Sequence, residues 1–432
     1  MTTRAEYAIP GIHVREHELR VPLDWNNPDG DEITVFAREL VAPERRAENL
    51  PPLLYLEGGP GGKALRPITA DGWIGQALQK FRVILLDQRG TGRSSRIDSA
   101  VISTFESASA AADYLTHFRA DSIVRDAEAL RTRIFGGVKW VTLGQSYGGF
   151  ITLAYLSHAP EALAGCLVAG GLASVTPDAR EVYRRTYPRV ELKNRLFYRR
   201  YPQDVDTLAR IADRIAVGDV RLPDGDLLTV RRLQSLGIDF GMKPGFERIH
   251  WLIDEAFRHE SDELSDDFLQ QVQQLSSFAG NPLFAVMQES IYGSGSGATG
   301  WAAQAEREEH PEFAEAARPL LLTGEMMYPW MFSEIKGLRA FEPAVNALAR
   351  REQWSELYDL ERLAANDVPV VAAVYFDDMY VDSGLQLETA RRVGNLHPWV
   401  TNEYEHDGIG ADRVFQHLIS TLADNGGVKT DE

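Results

Sequence analysis

The chain is predicted to be an α/β protein, with a mostly parallel, doubly wound sheet interrupted by a long helical insertion. Three observations predict it. Short apolar runs alternate with helical patterns through the first 170 residues or so, the order that builds a parallel sheet with helices on both faces. Near residue 175 strand signals fade, and a helical pattern runs to about 335. Strand-like runs then return at 368–376 and 398–405.

Each element has its own warrant. Residues 12–25 and 33–42 alternate in polarity, as antiparallel strands with one wet face do. P-P-L-L-Y-L-E (51–57) and F-R-V-I-L-L-D (81–87) are short and mostly apolar, as strands buried on both faces must be. Residues 120–135 carry a helical period, 138–143 read as a strand, 147–158 as a helix and 164–171 as a further buried strand. The insertion is rich in Arg, Glu, Gln, Leu and aromatic residues, with helices expected at 204–216 and 262–278. V-P-V-V-A-A-V-Y-F (368–376) and P-W-V-T-N-E-Y-E (398–405) resume the sheet, and a helix from about 411 closes it. The expected division is a core formed by 1–175 and 336–432 around a helical cap or lid of 176–335. The tail G-G-V-K-T-D-E (426–432) is expected to fray.

Composition narrows the function. With 432 residues, 44% of them hydrophobic, the chain can bury a sizeable core. Its 45 Lys and Arg stand against 63 Asp and Glu, a formal charge of −18. Such a surface repels phosphate backbones and anionic lipid, so neither nucleic acid nor a membrane is the expected partner. A single cysteine, Cys166, forms no internal disulfide and builds no Cys-rich metal knot. The charged N-terminal segment and the lack of a long apolar run give the expectation of a cytoplasmic protein.

The chemistry concentrates at G-Q-S-Y-G (144–148), between an apolar strand and a helix. That context is a nucleophile elbow: the chain turns sharply and lifts Ser146 above the sheet at a helix N-terminus. A serine hydroxyl needs a base, and the base an orienting acid. In α/β-hydrolases they follow in the order Ser, acid, His. His406 stands just past the run 398–405 in E-Y-E-H-D-G, where the base belongs. His310 falls in the lid, His397 ahead of the last strand and His417 inside the final helix. The acid should follow the strand 368–376, where F-D-D-M-Y-V-D offers Asp377, Asp378 and Asp382. Asp378 is preferred, at the expected start of the turn, with Asp377 the runner-up; a loop carboxylate or helix N-cap is the alternative for the others. An oxyanion hole needs backbone N–H groups. E-G-G-P-G-G (57–62) offers Gly58 or Gly59, and the elbow offers Tyr147.

Two apparent phosphate motifs lack their context. G-G-P-G-G-K (58–63) has Glu57 where a phosphate loop needs Gly, and Ala64 after its lysine. G-S-G-A-T-G (295–300) follows no strand and reads as a flexible lid loop. No cofactor and no metal is implied.

G-G-P-G (58–61), D-Q-R-G-T-G-R-S (87–94), G-Q-S-Y-G-G-F (144–150), F-D-D-M-Y-V (376–381) and E-H-D-G (405–408) together resemble the proline iminopeptidase (prolyl aminopeptidase) family of serine peptidases, α/β-hydrolases with a helical cap. Many relatives carry His before G-G-P-G, where Glu57 stands here. The resemblance implies a serine exopeptidase that takes peptides with a free N-terminal proline, through Ser146, Asp378 and His406 and an acyl-enzyme. Such an enzyme must hold a charged secondary ammonium near the scissile carbonyl, which a carboxylate pair in a drier pocket does well. By resemblance Glu289 and Glu325 are expected to hold it, each a lone acid among apolar residues, the alternative being surface carboxylates. Tyr292, Tyr328, Trp330 and Phe332 are expected to wall the pyrrolidine pocket, the alternative being plain core. An esterase or broader aminopeptidase on the same fold is the rival reading.

Overall fold

The structure is a computed structural model describing residues 2–428, so residues 429–432 of the expected frayed tail lie outside the described residues. Strands β1 (Thr2–Ile9), β2 (Ile12–Pro22), β3 (Glu32–Val41), β4 (Pro52–Leu56), β5 (Arg82–Asp87), β6 (Trp140–Gln145), β7 (Leu163–Ala169), β8 (Val370–Tyr375) and β9 (Leu396–Thr401) form one sheet. Its order is β1-β2-β3-β5-β4-β6-β7-β8-β9. The first three strands run antiparallel and β3 joins β5 antiparallel; every pairing from β5 to β9 is parallel.

Period-2 alternation assigns the sheet its two cores. Leu53 and Tyr55 of β4, with Val83 and Leu85 of β5, face one hydrophobic cluster, which Trp73 and Phe415 complete. Leu54, Leu56, Ile84 and Leu86 face the other. Helices α1 (Ala120–Arg133), α2 (Tyr147–His158) and α6 (Asp412–Asp424) pack on the sheet, while α3 (Ala179–Arg200), α4 (Pro282–Met287) and α5 (Ala302–Arg307) belong to the stretch between β7 and β8. α1 and α2 supply Ile123, Ala127, Ile151 and Leu153 to the second cluster, and α6 supplies Leu418 to the first. Between β7 and β8 the chain is helix and loop and adds no strand to the sheet.

Two strands differ from the sequence reading. β1 was not expected: T-T-R-A-E-Y-A-I lacks clean alternation, yet it pairs with β2 across a tight turn at Gly11, whose φ is +74°. The last strand is 396–401 rather than 398–405, because its ladder pairs Leu396 with Val370 and ends at Thr401 opposite Tyr375. His397 therefore lies inside β9, not ahead of it. As an edge strand β9 is only partly buried, which weakens its sequence signal. Among the described residues no helix is long and apolar enough to cross a membrane.

Candidate active site

β6 ends at Gln145 and α2 begins at Tyr147, leaving Ser146 to make the whole turn at φ 54° and ψ −123°. A non-glycine residue there stores about 1–3 kcal/mol of strain. The surroundings hold it in place. The Ser146 amide donates to the carbonyl of Ala169 at 2.9 Å, and the Ser146 carbonyl accepts from Gly149 at 2.8 Å. The turn packs so tightly on β4 that a Cβ at Gly148 would lie 1.9 Å from the carbonyl oxygen of Leu56.

Asp378 follows β8, with its backbone N–H closing a turn onto the Tyr375 carbonyl at 3.2 Å. It is fully buried. Its Oδ1 accepts from the amides of Tyr380 and Val381 at 2.8 and 3.1 Å. Its Oδ2 lies 2.7 Å from His406 Nδ1. Asp377 makes no such contact, and Asp382 caps the helix Ser383–Ala390 instead. His406 lies on the loop after β9, its amide bonded to the Gly241 carbonyl at 2.9 Å and its ring against the edge of Tyr380. Burial pushes the imidazole down, but the charge and hydrogen bond of Asp378 outweigh it and hold the ring above its ordinary pKa. With Nδ1–H committed to Asp378, Nε2 is the nitrogen left to exchange a proton. The other late histidines are occupied: His310 stacks on Tyr187, His417 packs on Trp399 and His397 meets Asn395.

The loop after β4 lies against the elbow. A Cβ at Gly58 would sit 3.1 Å from the Cβ of Ser146 and 2.8 Å from Gln145 Oε1, so the loop backbone runs close against the elbow. Of the three candidate oxyanion donors, Gly58 is not free: its amide donates to Glu57 Oε1 at 2.9 Å, a carboxylate also bonded by the Tyr55 hydroxyl at 3.1 Å. Burial holds the Glu57 carboxyl above its ordinary range. The amides of Gly59 and Tyr147 have no acceptor among the described residues. Gln88 Nε2 fixes the loop through the Glu57 carbonyl at 2.8 Å.

Ser146, His406, Gly58 and Gly59 line a cavity of about 580 Å³, roofed by Ile238, Met242, Phe284 and Glu325 of the helical insertion. Glu325 is the one carboxylate of the expected pair in this wall. Burial pushes its carboxyl up to about 7, against the pull of His406 and a hydrogen bond from Gln288. Glu289 stands behind the wall: its Oε1 accepts from the Ala303 amide, the second residue of α5, at 3.0 Å. Thr299, in the G-S-G-A-T-G segment, also draws the pKa of this carboxyl down. Burial pushes Glu289 to about 7 as well. Its Oε2, the Oε1 of Gln288 and the hydroxyl of Tyr183 are buried without partners. Tyr183 is near enough to both Glu289 and Glu325 for their charges, added to its burial, to keep its phenol neutral.

The expected aromatic wall is mostly core. Tyr328 is fully buried, with its hydroxyl 2.9 Å from that of Tyr187 and its ring stacked on Trp330. Phe332 packs on Trp301. Tyr292 bridges Tyr183 and Phe150 of α2. None of the four lines the Ser146 cavity; Phe284, Met242 and Tyr380 do. Gln288 and Phe284 were missed by sequence reasoning. Their only signal is proximity to Glu289 in N-P-L-F-A-V-M-Q-E (281–289), where helical spacing alone does not say which face is dry.

The family model for the α/β hydrolase fold matches residues 51–203. A proline iminopeptidase of Aeromonas sobria is 45% identical over 423 residues, covering 97% of this chain and 99% of the relative. A proline iminopeptidase of Aspergillus aculeatus is 33% identical over 412 residues, covering 91% and 90%. Similarity that spans both chains almost end to end, on an elbow of this geometry, places the chain in the proline iminopeptidase family of α/β hydrolases.

Proposed function

We propose that this chain is a serine exopeptidase that releases N-terminal proline from peptides. The observation that carries the reading is the sharing of one cavity by Ser146, by His406 hydrogen-bonded to Asp378, and by the half-buried Glu325. His406 Nε2 takes the proton of Ser146 Oγ as the oxygen attacks the carbonyl carbon of the first residue. The developing oxyanion is held by the amides of Gly59 and Tyr147, each such donor being worth about 100- to 1,000-fold in rate. His406 then protonates the departing peptide nitrogen, and the acyl group stays on Ser146. Water, deprotonated by the same imidazole, releases proline and restores the serine. Asp378 keeps Nδ1–H in place and stabilises the imidazolium.

Glu325 is the group that makes the reaction an exopeptidase's. A carboxylate this desolvated is costly when charged and unpaired, and a substrate ammonium relieves that cost. Glu289, with one oxygen unpartnered behind it, adds negative potential to the same end of the cavity. Residues 176–335 act as the lid: they roof the cavity and limit it to free N-termini. Turnover of a proline anilide by wild type and Ser146→Ala, with fluorophosphonate labelling, tests the reading. Loss of at least about 10⁴-fold together with loss of labelling is expected; undiminished turnover in Ser146→Ala would overturn it.

A further inference from the structure

A second cavity, of about 410 Å³, opens on the far side of the loop after β4, and its lining carries four cations, Lys63, Arg66, Arg93 and Arg96, and no carboxylate. On a chain of net charge −18 this is a local reversal of sign. Two of the cations are neutralised within the fold. Arg66 forms a two-pronged pair with Asp87 at 2.8 and 2.6 Å, and Arg93 bonds Glu16 at 2.6 Å while lying over the Phe36 ring. The other two are not. Arg96 reaches only the Gly280 carbonyl, at 3.5 Å, and Lys63 meets no acceptor among the described residues. The groove is walled by Gly62 and Asn281, and those two residues also line the Ser146 cavity. The two cavities are thus neighbours across one stretch of loop, with Glu325 on the wall of one and the free cations in the other.

We propose that this groove binds the C-terminal carboxylate of the leaving peptide, so that short peptides with a free C-terminus are the preferred substrates. This rests on the exopeptidase reading above. A peptide with its N-terminal ammonium at Glu325 and its first carbonyl at Ser146 must send its remaining residues out of the Ser146 cavity. The only anion that every such peptide carries, whatever its side chains, is the terminal carboxylate. An extended residue advances about 3.3–3.6 Å, so a di- or tripeptide delivers that group within about 10 Å of the scissile bond, the scale of an adjoining groove. Arg and Lys recognise it through charge-assisted hydrogen bonds, Arg by its two-pronged fork. A carboxylate in one cavity and free cations in its neighbour match the two charges of a zwitterionic short peptide.

The test compares kcat/KM for Pro-Ala-Ala as the free acid and as the C-terminal amide, in wild type and in Lys63→Gln/Arg96→Gln. Both side chains are exposed, so their replacement leaves the core intact. Wild type is expected to favour the acid by roughly five- to tenfold, chiefly through KM, with the ratio shrinking as salt is raised. In the double variant the ratio falls to near one. Equal turnover of acid and amide by wild type overturns the proposal while leaving the peptidase reading intact. So does a preference that survives the double substitution unchanged. Failure to cleave either peptide overturns both readings.

Discussion

Ser146 has to be strained to be useful: the backbone geometry that lifts its hydroxyl into the cavity is one that a side chain resists. Two replacements separate these effects. Both Ser146→Ala and Ser146→Gly should abolish turnover, but the glycine variant, free of the strain, should unfold later. A difference of about 1 kcal/mol in denaturant unfolding is expected, with glycine the more stable despite its larger entropy loss. On the proposed mechanism, two titrations govern the rate from the acid side. His406 must be neutral to act as base, and its pKa lies above the ordinary imidazole value, so activity falls as pH drops through that range. Glu325 must be charged to hold an ammonium, and its carboxyl is pushed to about 7, so it too is lost as pH falls. Turnover of a proline amide should therefore drop with the square of proton concentration at low pH, but turnover of a short acyl ester only with the first power. Glu325→Gln should remove one of the two protons from the amide profile. Glu325 was readable only as a lone acid among apolar residues; the structure supplies its place, half-buried in the wall of the Ser146 cavity. Nothing in F-D-D-M separates Asp377 from Asp378 by composition. The difference is made by the turn that Asp378 closes on Tyr375, which two identical residue types cannot announce.

At the scale of elements, D-Q-R-G-T-G-R-S works as a clamp between strands and loops. Arg89 is wholly buried and bonds both oxygens of Asp126 in α1, at 2.7 and 2.6 Å, as well as the carbonyls of Pro22, Leu23 and His117. Its neighbour Gln88 holds the oxyanion loop. Removing one partner of such a pair leaves the other charge buried alone, so Arg89→Met should cost about 3–5 kcal/mol of stability, measured by chemical unfolding. α3 fastens the insertion to the catalytic loops: Lys193 bonds Glu405 beside His406 at 2.6 Å, and Arg189 bonds Asp382 near Asp378 at 2.5 Å. The parallel strands were legible because burial on both faces demands unbroken apolar runs, which few other elements contain. β1 and β9 were not, or not at their true bounds, since edge strands owe their pairing to a neighbour more than to their own composition. The Gly58 amide was equally illegible, because Glu57 turns its own carboxylate back onto the next residue.

The whole molecule places the Ser146 elbow of the sheet beneath a helical roof, and the proposed chemistry is divided between the two layers. Ser146, Asp378, His406 and the Gly59 amide belong to the sheet and its loops, and Glu325 and Gln288 to the roof. The central claim is that the half-buried carboxylate of the roof makes hydrolysis depend on a free amine. Its most direct test is kcat/KM for proline anilide against N-acetylproline anilide, in wild type and in Glu325→Gln. A well desolvated anchor is worth about 2–5 kcal/mol, or roughly 30-fold to several-thousand-fold in kcat/KM. Wild type should show a preference of that size for the free amine, and Glu325→Gln should lose most of it while still turning over a short acyl ester. Indifference of wild type to acetylation, or a preference untouched by Glu325→Gln, would contradict the claim and leave the triad serving another hydrolysis.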